Sequence, residues 1–206
     1  MGQLFCCPQI ECPSEEEQKK IMESTGFPKD RVCMLYTRFV TLDADGKGLL
    51  CKADLAAEID FSQTPLAPLV IEAFFFPPWT REPETAPVSK VTFEHFCQVF
   101  SLFLPHRKEN NWKENENDDM YAFMFVFIMM THGDHDYVKL EDIKKICEFV
   151  HSDSIDISKL AKETYDGVLD ELNTEKLTFD EFLTLCGPEK LNLNIRHLIS
   201  VHLGNV

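Results

Sequence analysis

The stretch from Asp43 to Asp54 reads DADGKGLLCKAD. Acidic residues at its first, third and twelfth places, with glycine at the sixth, match the frame of a 12-residue loop that wraps calcium in oxygen. In that frame positions 1, 3, 5, 7, 9 and 12 supply ligands and the glycine makes the sharp turn. Lys47 stands at position 5, where an oxygen is needed. An ammonium about 4 Å from a divalent ion opposes it by several kcal/mol at an effective dielectric of about 20. Asp54 at position 12 also reaches less far than glutamate, favouring single-oxygen, weak calcium or magnesium-like coordination. Asp43, Asp45 and Asp54 therefore read as a weak or vestigial metal site, and no cofactor is required.

Working outward from this loop, its second half recurs. LLCKADL from Leu49, KVTFEHF from Lys90, YVKLEDI from Tyr137 and KLTFDEF from Lys176 share one pattern, and the aliphatic residues Leu50, Val91, Val138 and Leu177 are separated by 41, 47 and 39 residues. Such a period marks a repeated supersecondary unit. Apolar residues at helical spacing precede each loop, in RVCMLYTRFVTL, APLVIEAFFF, DMYAFMFVFIMM and LAKETYDGVL. The unit is thus a helix, a loop and a helix, the EF-hand. Its aliphatic position 8 extends as a short strand that pairs with a neighbouring hand, so Leu50 is expected opposite Val91 and Val138 opposite Leu177.

The fold class expected is all-α, with two lobes, each a pair of EF-hands, and short β-bridges between paired loops. PHRKENNWKENENDD, Pro105 to Asp119, is too polar to bury itself and reads as a linker. The expected organisation is an N-terminal segment over 1–20, an N-lobe over 21–104, an acidic linker over 105–119 and a C-lobe with its tail over 120–206. Ahead of the first loop-flanking helix the chain is less legible, although STGFPKD (Ser24 to Asp30) supplies a turn and a cap.

The other loops are poorer in ligands. Glu84 to His95 (ETAPVSKVTFEH) has proline at 4 and histidine at 12, and Thr131 to Asp142 (THGDHDYVKLED) has Gly133, His135 and Asp136 at 3, 5 and 6. Asp170 to Glu181 (DELNTEKLTFDE) keeps only Asp170 and Glu181, with Glu175 where glycine belongs. His132 and His135, with no further ligand at metal spacing, read as a solvated loop rather than zinc.

A formal charge of −15 repels polyanions, so nucleic-acid binding is not expected and a Lys- and Arg-rich partner is favoured. Eight cysteines, three of them crowded at Cys6, Cys7 and Cys12 and the others single within apolar runs, do not look like a secreted disulfide framework. The longest apolar run, Tyr121 to Met130, is too short to span a bilayer. A reducing, cytoplasmic setting is expected. The opening MGQLFCC offers Gly2 for myristoylation and Cys6 and Cys7 for palmitoylation, with Cys6 where Ser or Thr is usual. Two acyl signals anchor where one is marginal, which points to the inner face of the plasma membrane.

With weak ion chemistry, the apolar faces are the remaining candidate for function. Phe74, Phe75, Phe96, Phe100, Phe103, Phe123, Phe127, Met130, Ile143, Ile146, Phe149, Phe182 and Leu185 exceed what two small lobes need. The surplus reads as a groove for an amphipathic helix. No phosphate loop, GxSxG or HExxH occurs, and Cys97 reads as a packing residue, so no enzyme is expected.

TGFPKDRVCMLYTRFVTLD, TPLAPLVIEAFF and LNLNIRHL resemble the calcineurin B homologous proteins, over roughly residues 15 to 198. STGF, LYTRF and NIRHL lie outside the loops and make the resemblance more specific than a shared hand. It implies a non-enzymatic regulatory subunit that binds a juxtamembrane cytosolic helix of a plasma-membrane sodium/proton exchanger, supports its stability, delivery and activity, and carries an N-terminal myristoyl group. Members of that family usually keep competent third and fourth hands. This chain does not, and that departure from the family fits an ion-independent, constitutive subunit better. Calcineurin B is similar through the hands but lacks the TGF segment, which leaves a B-type subunit of a calcineurin-like phosphatase, or a weak calcium sensor or buffer, as alternatives.

Overall fold

The computed structural model describes residues 12–57, 67–76, 88–103, 118–131, 136–150 and 174–186. The expected acylation residues Gly2, Cys6 and Cys7, residues 105–117 of the expected linker over 105–119, and the LNLNIRHL segment lie outside them; the last two linker residues, Asp118 and Asp119, are helical.

The first helix, α1 (Glu15–Thr25), starts where the Ser14 hydroxyl accepts the Glu17 N–H at 3.3 Å, and three glutamates in its first turn suit the positive end of the helix dipole. It stops at Gly26, whose φ of 68° is left-handed and whose N–H donates to the Met22 carbonyl. The chain segment that was less legible in sequence is therefore a helix, and the boundary expected at residue 20 falls inside it. Pro28 then begins α2 (Lys29–Leu42), whose Val32, Cys33, Leu35 and Phe39 are buried. The first loop follows, and α3 (Lys52–Ala56) leaves it.

The second hand is α4 (Ala67–Phe74), its loop and α5 (Phe93–Phe103). The third is α6 (Asp118–Thr131), strand β1 (Val138–Lys139) and α7 (Leu140–Val150). Of the fourth, strand β2 (Lys176–Leu177) and α8 (Phe179–Cys186) are described. The expected bridges form in register. Leu50 and Val91 exchange two N–H to carbonyl bonds of 2.9 Å each, and β1 pairs antiparallel with β2, Val138 opposite Leu177. All four side chains are buried.

Helix α6 is apolar nearly all round, so it must be enclosed. It packs on α4, α5 and α8. Phe125 meets Phe74 at 5.9 Å and Phe103 at 5.1 Å, while Phe127, farther along the same helix, meets Phe182 at 5.5 Å and Phe179 at 5.4 Å. One aromatic core thus runs unbroken from the first pair of hands into the second. Among the described residues no helix is long and apolar enough to cross a membrane.

One covalent feature departs from the free-thiol reading of the sequence. Cys12 and Cys33 form a disulfide. The pairing depends on the Gly26 turn folding α2 back against α1, a contact that residue spacing does not disclose. Closing a loop of this sequence separation, 21 residues, restricts the unfolded chain by about 3 kcal/mol.

Candidate functional site

The first loop keeps the expected shape through its own hydrogen bonds. Gly46 and Gly48 adopt left-handed φ values of 67° and 70°, open to few other residues. Asp43, only 8% exposed, accepts the Lys47 N–H at Oδ1 (3.0 Å) and the Gly48 N–H at Oδ2 (2.6 Å). The Lys47 ammonium bonds the Asp45 carboxylate, which that contact holds below the usual carboxylate range, while Asp45 raises Lys47. Asp54 accepts the Cys51 N–H at 2.7 Å and closes a capping box on α3.

These residues do not fit a calcium site. A calcium ion takes six to eight oxygens. Here the position-5 group is a cation bonded to one candidate ligand, and a second candidate is engaged as a helix cap. Among the described residues no group of three or more His, Cys, Asp or Glu side chains is placed to hold a metal.

The fourth loop repeats the conversion of ligand to cap. Glu181, at position 12, accepts both the N–H and the hydroxyl of Thr178 at 2.9 Å, and those bonds lower its pKa. Across the β1–β2 bridge the Lys176 ammonium sits 3.6 Å from the centre of the Tyr137 ring, joining position 7 of two paired loops by a cation–π contact. Residues 132–135, with both loop histidines, and 170–173 lie outside the described segments.

Of the apolar residues that the sequence offered as a helix-binding surface, Phe74, Phe75, Phe96, Phe100, Phe103, Phe127, Met130, Ile143, Phe182 and Leu185 are buried in the core. Phe123 is half-buried against it, and the side chains of Ile146 and Phe149 are outside the description. In this state the surplus faces inward. Phe74 stands at its centre, 6.1 Å from both Phe96 and Phe100 and in contact with Phe125. Of the large hydrophobic side chains described, Met34 and Val40 on α2 are the exposed ones.

Two polar groups, His95 and Cys97, are buried on α5. Cys97 is fully buried and burial pushes its thiol far up, so it remains protonated and packs rather than reacts. His95 is 8% exposed, and burial lowers its pKa to about 4 against an opposing hydrogen bond with the Phe74 backbone. The folded state therefore binds fewer protons than the unfolded state between about pH 6.5 and about 4. The stabilisation by neutral His95 is whole above that window and is lost as pH falls through it, by about 3 kcal/mol. Urea unfolding of the wild type and of His95→Gln across these pH values is expected to show their stability difference change by that amount, in favour of the variant at low pH.

Two pairs of hands joined at position 8, around a shared aromatic core, define an EF-hand protein. No protein-family profile matches the chain. Curated proteins to which it is similar include calcineurin B homologous proteins. It is 26% identical over 185 residues to calcineurin B homologous protein 3 of Xenopus laevis, covering 82% of this chain and 85% of that one. To the protein of the same name from Homo sapiens it is 23% identical over 185 residues, covering 84% and 86%. Among solved structures, a chain of a PP2A PR70 holoenzyme aligns with 85% of this chain and 57% of its own length, at 14% identity and a TM-score of 0.43, a likeness too loose to bear on function.

Proposed function

We propose that this chain is a non-enzymatic EF-hand subunit that binds an amphipathic juxtamembrane helix of a plasma-membrane sodium/proton exchanger and supports its stability, delivery and activity without an ion switch. One observation carries this reading: the hands keep their pairing and an aromatic-rich core while the first loop has bonded its own ligands internally. A scaffold retained after its ion chemistry has gone is suited to holding another chain. The relatives named as calcineurin B homologous proteins support it, and the charge of −15 suits a helix rich in Lys and Arg.

Because the core rings face inward, binding exchanges internal aromatic contacts for contacts with the apolar face of the partner, a shift between a closed and an open state. Acylation at Gly2, Cys6 and Cys7 would hold the complex at the inner face of the plasma membrane.

The test is titration of the full chain with a synthetic exchanger juxtamembrane helix, in EDTA and then in calcium. Micromolar or tighter binding of equal strength in both is expected, abolished when charges are placed on the apolar face of the peptide. Failure of that peptide, with binding of a phosphatase catalytic-chain helix instead, transfers the assignment to a calcineurin-like enzyme. Failure of both overturns the helix-binding reading.

A further inference from the structure

We propose that Lys47 is the resident cation of the first loop: its ammonium stands in for the divalent ion, so that the loop is held in its turned conformation by the chain itself. The geometry leaves the three acidic residues with donors from within the loop. Asp45 has the ammonium, Asp43 has the N–H groups of Lys47 and Gly48, and Asp54 has the N–H of Cys51. The Gly46 N–H closes the turn onto the Asp43 carbonyl at 2.9 Å.

In an ion-binding hand, unneutralised carboxylates repel until the metal arrives, and ordering of the loop waits on the metal. Here the positive charge is tethered two residues from its partner, at an effective concentration of about millimolar that does not depend on the supply of dissolved ions. A divalent ion entering this loop must displace the ammonium from Asp45 and then share the loop with it. The loop delivers Leu50 to its bridge with Val91 in either case, because the turn is already made. Lysine is also better suited to this than an uncharged donor, since the carboxylates at positions 1, 3 and 12 otherwise stand together without a counter-charge.

This inference concerns the loop alone and does not depend on the partner proposed above. The experiment reads amide hydrogen exchange at Lys47 and Gly48 in the full chain, in EDTA and in millimolar calcium chloride, alongside calorimetric calcium titration. In the wild type both amides are expected to be protected in EDTA and unchanged by calcium. Lys47→Arg keeps that protection. Lys47→Asp, which restores a carboxylate at position 5, loses it in EDTA, recovers it in calcium and binds calcium at least about a hundredfold more tightly than the wild type. Wild-type amides that are unprotected in EDTA and become ordered on adding calcium overturn the proposal, as does Lys47→Asp binding calcium no better than the wild type. If Lys47→Asp fails to fold without the ion, the wild-type and Lys47→Arg exchange patterns decide.

Discussion

Leu50→Asp is expected to lower the unfolding free energy by about 5 kcal/mol, enough to unfold a domain of ordinary stability. Leu50 is fully buried, and its backbone exchanges both bridge hydrogen bonds with Val91, which is equally buried. An aspartate there loses the transfer energy of the leucine side chain and adds a carboxylate with no partner and no route to water. The main-chain bonds do not themselves need leucine, so the cost falls on the side chain. Leu50→Met separates the two contributions: it keeps volume and apolarity and is expected to cost less than about 1.5 kcal/mol. Urea midpoints of the three proteins check this. A loss below about 1 kcal/mol for Leu50→Asp would mean that the bridge does not hold the first two hands together.

Phe74→Ala is expected to cost about 4 kcal/mol and to weaken both pairs of hands at once. The size follows from the cavity left by a fully buried ring touching Phe96, Phe100 and Phe125, none of which collapses easily into the space. The shared effect follows from Phe125, which belongs to α6 and lies two residues from Phe123 and from Phe127, both of which contact Phe182. Backbone amides of α5 and of α8 should therefore lose exchange protection together, in a single unfolding transition. Loss of protection confined to α5 would show that the two pairs are energetically separate, in spite of the rings they share.

A large part of this architecture was legible before any coordinates. The partners Leu50 with Val91 and Val138 with Leu177 were set by loop position, because position 8 follows the turn at a constant distance and can pair only with its equivalent. The missed helix α1 carried its own signal, Ser14 with Glu17 three residues on and Gly26 at the end, which is a cap at each terminus. His95 was less accessible to sequence reading: a polar residue within FEHFCQVF finds its hydrogen-bond partner in the Phe74 backbone of α4, and the distance along the chain hides that neighbour.

What the order of residues determined by itself is local. Loop frame, cap chemistry, helical phase and the lysine at position 5 all arise between residues near one another in the chain, where covalent geometry limits the choices. Tertiary structure alone decided which way the phenylalanines face, since Phe74 is enclosed by Phe96 and Phe100 of α5 and by Phe125 of α6, which arrives from about fifty residues away. It decided the Cys12–Cys33 pairing in the same manner, through the return of α2 against α1. It also settled where the Lys47 ammonium goes, because a flexible cation lies wherever the folded loop concentrates negative charge, and here that place is Asp45.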